Sequence, residues 1–271
     1  MKNMKKVLSI MLVLVMALAT LAGCGGSDNS AGSSASASAD TNNTSGGKYI
    51  IATDTTFAPF EFTNEQNEFV GIDLDILDAI AKDQGFDYEL QPLGFDAAVA
   101  ALESGQADGV IAGMSITPDR QKKYDFSEPY YDSTVCAAVK ADNPATTLDD
   151  IKGSDVAVKN GTQSAAWAES IKDEYQLNLT YYDDSAIMYQ AVNSGNAVAC
   201  FEDYPVMSYG VSQNNGLKLL VEEKDEFATP YGFAVRKGEN AELLEMFNAG
   251  LKNIKENGTY DEIVAKYIGE K

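Results

Sequence analysis

Short apolar runs alternate with stretches of helical spacing along most of the chain, starting near Lys48. The first run covers residues 49–52, and apolar residues then recur every three or four positions from Ile72 to Ile80 before Gly85. A short apolar run is typical of a strand, and the longer spacing is typical of a helix, which a glycine commonly ends. The pattern therefore predicts a strand over 49–52 and a helix that ends at Gly85.

The same alternation continues through the middle of the chain. Further strands are predicted over residues 88–90, 109–112, 156–158, 179–182 and 197–201. Helices are predicted between them over residues 95–103, 164–173 and 185–193. Strands that are separated by helices of this length usually form parallel sheets whose faces the helices cover. The pattern therefore predicts an α/β protein.

One short motif occurs twice. Residues 101–107 read Ala-Leu-Glu-Ser-Gly-Gln-Ala, and residues 191–197 read Ala-Val-Asn-Ser-Gly-Asn-Ala. Each copy places a helix end and its glycine cap directly before a predicted strand. The match is either a coincidence between two alanine-rich helix ends or a sign of two lobes with the same local architecture. In the second case Gly113 and Asp203 are equivalent and lie at carboxyl ends of strands, where ligands bind in open α/β sheets.

The first residues have the features of a secretory signal. Three lysines precede an apolar run over 7–21, which is shorter than the ~20 residues that a transmembrane helix needs. The run ends in Leu-Ala-Gly before Cys24, which resembles a bacterial lipobox, and residues 24–47 contain no large apolar side chain. We therefore expect a signal peptide over 1–23, lipidation of Cys24 and a flexible linker over 24–47. An ordinary signal peptide with an incidental cysteine is the alternative.

The charge of the chain excludes several classes of function. It has 20 basic and 41 acidic residues, a formal net charge of −21, and no histidine. Such a surface repels phosphates and anionic lipids, so we expect no nucleic-acid partner and membrane attachment through the lipid anchor only. The absence of histidine excludes Ser-His-Asp and Cys-His catalysis and zinc sites built on histidine. We expect no metal and no cofactor.

Two cysteines remain beyond Cys24. Cys136 and Cys200 both lie in apolar, strand-like runs. An exported chain could oxidise them to a disulfide, but a cysteine in such a run often serves as a small buried apolar residue. We favour two buried thiols over a disulfide.

Several segments, taken in order, resemble the polar-amino-acid-binding proteins of bacterial ABC importers, which belong to family 3 of the bacterial extracellular solute-binding proteins. The resemblance covers residues 48–271, is closest to the glutamine binders, and is carried by residues 53–62, 71–75, 113–120, 125–131, 156–162 and 256–260. It implies a two-lobed periplasmic-binding-protein fold of type II, each lobe a mostly parallel sheet covered by helices, with two hinge crossovers. The implied first lobe comprises 48–131 and 232–271, and the second comprises 132–231.

A free amino acid presents a carboxylate and an ammonium group. Arginine binds a carboxylate with two parallel hydrogen bonds, which lysine cannot do, and the chain has only two arginines, Arg120 and Arg236. The resemblance assigns the carboxylate to Arg120, with further donors from the backbone N–H groups of Ser115, Thr162 and Gln163. We expect Arg236 to be a surface residue.

The ammonium group needs acceptors. The resemblance assigns it to the Asp203 carboxylate, the Gly113 carbonyl and the Ser115 hydroxyl, in a backbone segment that also includes Met114. Asp203 could instead be the N-cap of the helix that follows it.

The resemblance also implies how the ligand side chain is held. Phe57 and Phe95 would enclose its aliphatic part, although both could simply pack in the core. Asp54, Lys159 and Glu202 would face its distal end. Asp54 with Lys159 resembles the glutamine binders, because an amide can donate to one and accept from the other, whereas Glu202 departs from that pattern. Glutamine is therefore favoured, and a basic amino acid (arginine, lysine or histidine) is the alternative.

The resemblance implies a binding protein and not an enzyme, so we predict no catalytic residue. We expect an extracytoplasmic monomer, anchored to the outer face of the cell membrane, that delivers its amino acid to ABC transporter permease subunits. One alternative is an exported enzyme of the cyclohexadienyl dehydratase kind, which would have less use for Asp203. A second is the sensor domain of a receptor or lytic enzyme, which we do not expect because those proteins carry extra domains or a C-terminal membrane span and this chain stops at Lys271 without one.

Overall fold

The computed structural model describes residues 48–223 and 226–269. The expected signal peptide, lipidated Cys24 and linker lie outside the described residues. Within the described part, every helix is too short or too polar to cross a membrane.

The elements before the first crossover start with a strand and a small hairpin. In chain order they are β1 (Tyr49–Thr53), β2 (Phe62–Thr63), β3 (Phe69–Val70), α1 (Ile72–Gln84), β4 (Tyr88–Pro92), α2 (Phe95–Ser104), β5 (Gly109–Val110) and β6 (Tyr124–Phe126).

The remaining elements begin after the first crossover. They are β7 (Val135–Lys140), β8 (Asp155–Lys159), α3 (Gln163–Tyr175), β9 (Asn178–Tyr182), α4 (Ser185–Asn193), β10 (Ala199–Asp203), α5 (Tyr204–Ser212), β11 (Leu217–Glu223), β12 (Ala234–Arg236), α6 (Ala241–Glu256) and α7 (Thr259–Ile268).

The strands form two five-stranded sheets. The sheet of the first lobe has the order β4-β1-β5-β12-β6, and that of the second lobe has the order β11-β7-β10-β8-β9. Each sheet has two parallel and two antiparallel pairings, so both are mixed and not mostly parallel as predicted. The antiparallel pairings all involve strands next to the crossovers. A parallel neighbour needs a helix that carries the chain back across the sheet, and no helix does so at these strands.

Each lobe has its own apolar core. In the first lobe Phe233 stacks on Phe247 with ring centroids 4.4 Å apart, and α6 lies so close to α1 that a Cβ at Gly250 would meet Ile80 at 2.7 Å. In the second lobe Trp167 packs edge-on against Phe201, with ring centroids 5.1 Å apart. The two cores make each lobe a separate platform for one side of a cleft.

The repeated motif has the same conformation in both lobes. Gly105 and Gly195 both have a left-handed φ, of 73° and 80°, and the residue after each glycine donates its N–H to the carbonyl of the first alanine at 2.8 Å. The prediction of a shared local architecture is thus confirmed. The strand after the second copy begins at Ala199 and not at residue 197 as predicted. The two residues before Ala199 still belong to the connection that follows the helix.

Two segments connect the lobes, one between β6 and β7 and one between β11 and β12. They also pair with each other, because the Tyr130 N–H donates to the Tyr231 carbonyl at 3.0 Å and the Tyr231 N–H donates to the Tyr131 carbonyl at 2.8 Å. The lobe boundaries that the resemblance implies fall within these two segments.

The two cysteines lie in the second lobe. Cys136 on β7 and Cys200 on β10 are free and fully buried, as the favoured interpretation of the sequence predicts. Burial and the nearby Glu202 raise the pKa of both thiols well above the ordinary value. They are therefore apolar packing groups at neutral pH.

Candidate functional site

A narrow cavity with about 10 Å³ of free volume lies between the two lobes. It includes ten of the twelve residues that the sequence assigns to the ligand, together with Ala112, and is lined by Asp54, Phe57, Phe95, Ala112, Gly113, Ser115, Arg120, Lys159, Thr162, Gln163 and Asp203. A larger open groove lies beside the crossovers, but its lining among the described residues includes no arginine or lysine. The cavity, with its opposed charges, is the stronger candidate.

Arg120 crosses the cleft. Its guanidinium donates to the Ser115 carbonyl of the first lobe and to the Gly161 carbonyl of the second lobe, both at 2.9 Å. It also lies over the ring of Phe95, with Cζ 5.3 Å from the ring centroid. A guanidinium has five N–H donors, so further donors remain for an anion in the cavity.

Asp203 faces the cavity from the end of β10. Its Oδ2 accepts from the Tyr231 hydroxyl at 2.7 Å, whereas its Oδ1 is buried and has no partner among the described residues. Burial and the adjacent Glu202 raise the pKa of Asp203 to about 7. Asp203 occupies the N-cap position of α5, as the alternative interpretation of the sequence predicts, but its side chain makes no capping hydrogen bond. The unpaired oxygen leaves room for a cationic donor.

An ion pair spans the cleft on the other side of the cavity. The Lys159 ammonium, at the end of β8, contacts the Asp54 carboxylate, which follows β1, and both side chains are 1% exposed. Lys159 also donates to the Ser185 hydroxyl at 3.3 Å and lies over the Phe57 ring at 5.2 Å. The pair offers a donor and an acceptor side by side.

The two phenylalanines serve both interpretations of the sequence. Phe57 and Phe95 line the cavity and are also members of the buried clusters of the first lobe. Gly113 lies against Phe57, since a Cβ there would meet the ring at 2.3 Å, and its φ is +53°. Only glycine suits this position, where the backbone itself borders the cavity.

The start of α3 supplies backbone donors. The Thr162 hydroxyl accepts from the Ala165 N–H at 3.2 Å and thereby caps the helix, and Gln163 is its first residue. The first N–H groups of a helix have no partner within it and attract anions. Thr162 and Gln163 therefore present positive potential to the cavity beside Arg120.

Two of the assigned residues do not line the cavity. The Glu202 carboxylate accepts from the Ser185 hydroxyl at 2.9 Å and the Tyr189 hydroxyl at 2.8 Å, because alternation along β10 turns Glu202 away from the face of Asp203. Burial raises the pKa of Glu202. The Met114 side chain is buried, and its carbonyl accepts from the backbone of the second crossover.

Sequence reasoning missed two residues beside the site, Ser185 and Tyr231. Ser185 joins Lys159 to Glu202, and Tyr231 holds Asp203. Ser185 is the first residue of α4, just after the carboxyl end of β9. The rule that ligands bind at such strand ends could therefore have indicated it. Nothing in the sequence distinguishes Tyr231 from other tyrosines.

The geometry can be set beside known proteins. The chain is 33% identical over 231 residues to the arginine-binding periplasmic protein of Mannheimia haemolytica, which covers 84% of this chain and 94% of that one. Among solved structures, an ancestral arginine-binding protein bound to arginine is 39% identical, with a TM-score of 0.76, covering 82% of this chain and 99% of its own. An ancestral arginine-binding protein bound to glutamine is 38% identical, with a TM-score of 0.75, covering 83% and 100%.

These structures confirm the predicted periplasmic-binding-protein fold. Residues 49–270 also match the model of the family described as bacterial extracellular solute-binding proteins, family 3. That match covers well over half of the chain, and the chain therefore belongs to family 3 of the bacterial extracellular solute-binding proteins.

Proposed function

We propose that this protein binds a free polar amino acid in the interlobe cavity and delivers it to the permease subunits of an ABC transporter. The observation that carries the proposal is that Arg120 and Asp203 line the same cavity, and that the buried Oδ1 of Asp203 has no partner among the described residues. One positive and one negative group at opposite sides complement the carboxylate and ammonium of an amino acid. The relatives are named as amino-acid-binding proteins, which supports the proposal.

The proposed contacts divide between the two ends of the zwitterion. The carboxylate meets the Arg120 guanidinium and the backbone N–H groups of Ser115, Thr162 and Gln163. The ammonium meets Asp203, with the Gly113 carbonyl and the Ser115 hydroxyl as neutral acceptors. Because these groups come from both lobes, an amino acid binds best when the lobes meet, and binding shifts the protein toward that state.

We propose glutamine as the preferred ligand. Lys159 and Asp54 reach the cavity together, so a side-chain amide can accept from one and donate to the other. A cationic side chain would meet the Lys159 ammonium instead. A basic amino acid remains the second candidate, because Glu202 adds a buried carboxyl group behind Ser185 and relatives are named as arginine-binding.

A panel of the twenty amino acids tests the function. At ~100 times its dissociation constant a ligand adds about 2.7 kcal/mol to the free energy of unfolding. For a protein of this size that raises Tm by roughly 5–11 °C, measured by thermal shift. We expect polar amino acids to give this shift, with glutamine the largest. Ammonium acetate, which carries the same charges on separate ions, is the control.

Two outcomes of the panel would contradict the proposal. If no amino acid raises Tm more than the ammonium acetate control does, the proposal that the protein binds amino acids is wrong. Chromatography of the bound ligand after release distinguishes the other class of function, because a binding protein returns the amino acid unchanged and an enzyme does not.

We also propose that Cys24 is lipidated and anchors the protein to the outer face of the cell membrane. The lipobox-like residues before Cys24 and the apolar run over 7–21 support this. Cys24→Ala is expected to release the protein from the membrane fraction, and Cys136→Ala, which leaves the lipobox intact, is the matched control. Membrane retention of Cys24→Ala, measured by fractionation, would mean that the apolar run itself is the anchor.

A further inference from the structure

Two buried carboxyl groups lie behind the cavity in the first lobe. Glu61 and Asp73 are both 0% exposed. The Asp73 Oδ2 accepts from the Gly113 N–H at 2.8 Å and from the Tyr130 hydroxyl at 2.7 Å. The other three oxygens of the pair, both from Glu61 and Oδ1 from Asp73, find no N–H or hydroxyl donor among the described residues.

A single proton shared by Glu61 and Asp73 would remove the repulsion between them. Two buried carboxylates would repel each other and leave three acceptors unpaired, and both effects destabilise the folded protein. The two carboxyl groups are in hydrogen-bond contact with each other. If Glu61 is protonated, it donates to Asp73, which then accepts from Glu61, Gly113 and Tyr130.

The surroundings place the proton on Glu61. Burial raises the pKa of Glu61 well above its ordinary value, Asp73 and Asp54 raise it further, and Lys159 opposes them only in part. Burial raises the pKa of Asp73 to about 6, opposed by its hydrogen bonds from Gly113, Tyr130 and Glu61. Because Asp73 already accepts two hydrogen bonds and Glu61 accepts none among the described residues, the shared proton lies on Glu61.

Asp73 also connects the cavity with the crossovers. Gly113 borders the cavity, and Tyr130 lies on the first crossover, where its N–H donates to the Tyr231 carbonyl at 3.0 Å. The Tyr231 hydroxyl in turn donates to Asp203 at 2.7 Å. A continuous series of hydrogen bonds thus joins the two lobes through Asp73, from Gly113 to Asp203.

We propose that Asp73 is a positioning residue for amino-acid binding, and that one proton shared with Glu61 lets it hold Gly113 in place against the ligand. This rests on the proposed function, in which the Gly113 carbonyl accepts from the ligand ammonium. Asp73 fixes the N–H of the same residue, so its loss frees the carbonyl to turn. A second charge on Glu61 would push the two carboxyl groups apart and disturb the same contact.

Paired amide variants test the positioning role. Glu61→Gln keeps a neutral donor beside Asp73, whereas Asp73→Asn removes the charge that the three donors surround. In calorimetric titrations with glutamine, and with arginine as second probe, we expect Asp73→Asn to weaken binding at least tenfold more than Glu61→Gln. Glu61→Ala, which offers no donor, should bind more weakly than Glu61→Gln. Glu174→Gln, an exposed change on α3, is the matched control.

The location of the proton has its own measurement. A group whose folded-state pKa is raised binds a proton on folding, so its contribution to stability is largest below the ordinary glutamate pKa and is lost as pH rises toward the folded-state pKa. As pH rises above the ordinary glutamate pKa, the ratio of the wild-type unfolding constant to that of Glu61→Gln should therefore rise, with a limiting slope of about tenfold per pH unit for one proton. Groups away from Glu61, including Asp203 and Glu202, titrate in both proteins and cancel in the ratio. Asp73 contacts Glu61, so a change in its own titration belongs to the shared proton that the ratio measures.

Each outcome decides the proposal. A ratio of unfolding constants that does not change with pH would show that Glu61 holds no extra proton. If Glu61→Gln lost as much affinity for the ligand as Asp73→Asn, or more, Asp73 would not be a positioning residue. If Asp73→Asn does not fold, Tyr130→Phe, which removes one donor without a change in charge, should weaken glutamine binding at least threefold. Its failure to do so would also overturn the proposal. A wild-type protein that binds no amino acid would instead refute the proposed function, and the unfolding ratio would still report on the proton.

Discussion

Replacing Arg120 with lysine is expected to abolish tight binding of every amino acid that the wild-type protein binds. Each ligand carries the same carboxylate, and a lysine ammonium cannot offer two parallel donors to it. Nor can lysine replace both contacts across the cleft, to Ser115 and Gly161, that the guanidinium makes. Loss of a buried, charge-assisted contact of this kind costs about 2–5 kcal/mol, which calorimetric titration would measure.

The chain provides a matched control for this change. Its other arginine, Arg236, lies on β12 in a partly exposed ion pair with Glu239. Arg236→Lys should therefore bind amino acids as the wild type does. A loss of less than about tenfold in Arg120→Lys, ~1.4 kcal/mol, would mean that Arg120 does not bind the ligand carboxylate.

Replacing Lys159 with glutamine is expected to shift the preference from glutamine toward arginine. Lys159 and Asp54 are almost fully buried, and Glu202 lies behind Ser185, so the variant leaves buried carboxyl groups without their cation. A unit charge ~4 Å away contributes about 4 kcal/mol at an effective dielectric constant of 20. A guanidinium or ammonium on the ligand can then supply the missing charge, which a neutral amide cannot do.

Competition titrations of glutamine against arginine on both proteins measure the shift. Lys123→Gln, which removes an exposed lysine paired with Glu103, controls for net charge. Without ligand, Lys159→Gln should also unfold at a lower temperature than the wild type, since breaking a buried ion pair costs about 3–5 kcal/mol. If the wild type already prefers arginine, the glutamine proposal is wrong, and Glu202 becomes the residue to change next.

Local signals in the sequence account for most of the elements. The spacing of apolar residues and the glycines at 85 and 105 gave helix ends that the structure places at Gln84 and Ser104. The rule that ligands bind at carboxyl ends of strands brought Gly113 and Asp203 together although they come from different lobes. These features were predictable because each depends on a few neighbouring residues.

Other features depend on contacts between distant segments. The mixed sheets follow from where the crossovers enter, which no local pattern specifies. Glu202 turns away from the cavity because neighbouring side chains along β10 point to opposite faces. Strand periodicity could have predicted this, but the sequence analysis followed the resemblance and assigned both Glu202 and Asp203 to the ligand. Glu61 and Asp73 look in the sequence like ordinary surface acids, and only their long-range packing buries them together.

The ion pair between Asp54 and Lys159 joins the two lobes and has a thermal consequence. Any separation of the lobes returns both charges to water, so hydration of the two ions opposes contact between the lobes. Hydration of charged groups carries a strongly negative entropy, and its free energy becomes less favourable on heating. For this pair, cold water therefore favours an open cleft, and warming favours contact across it.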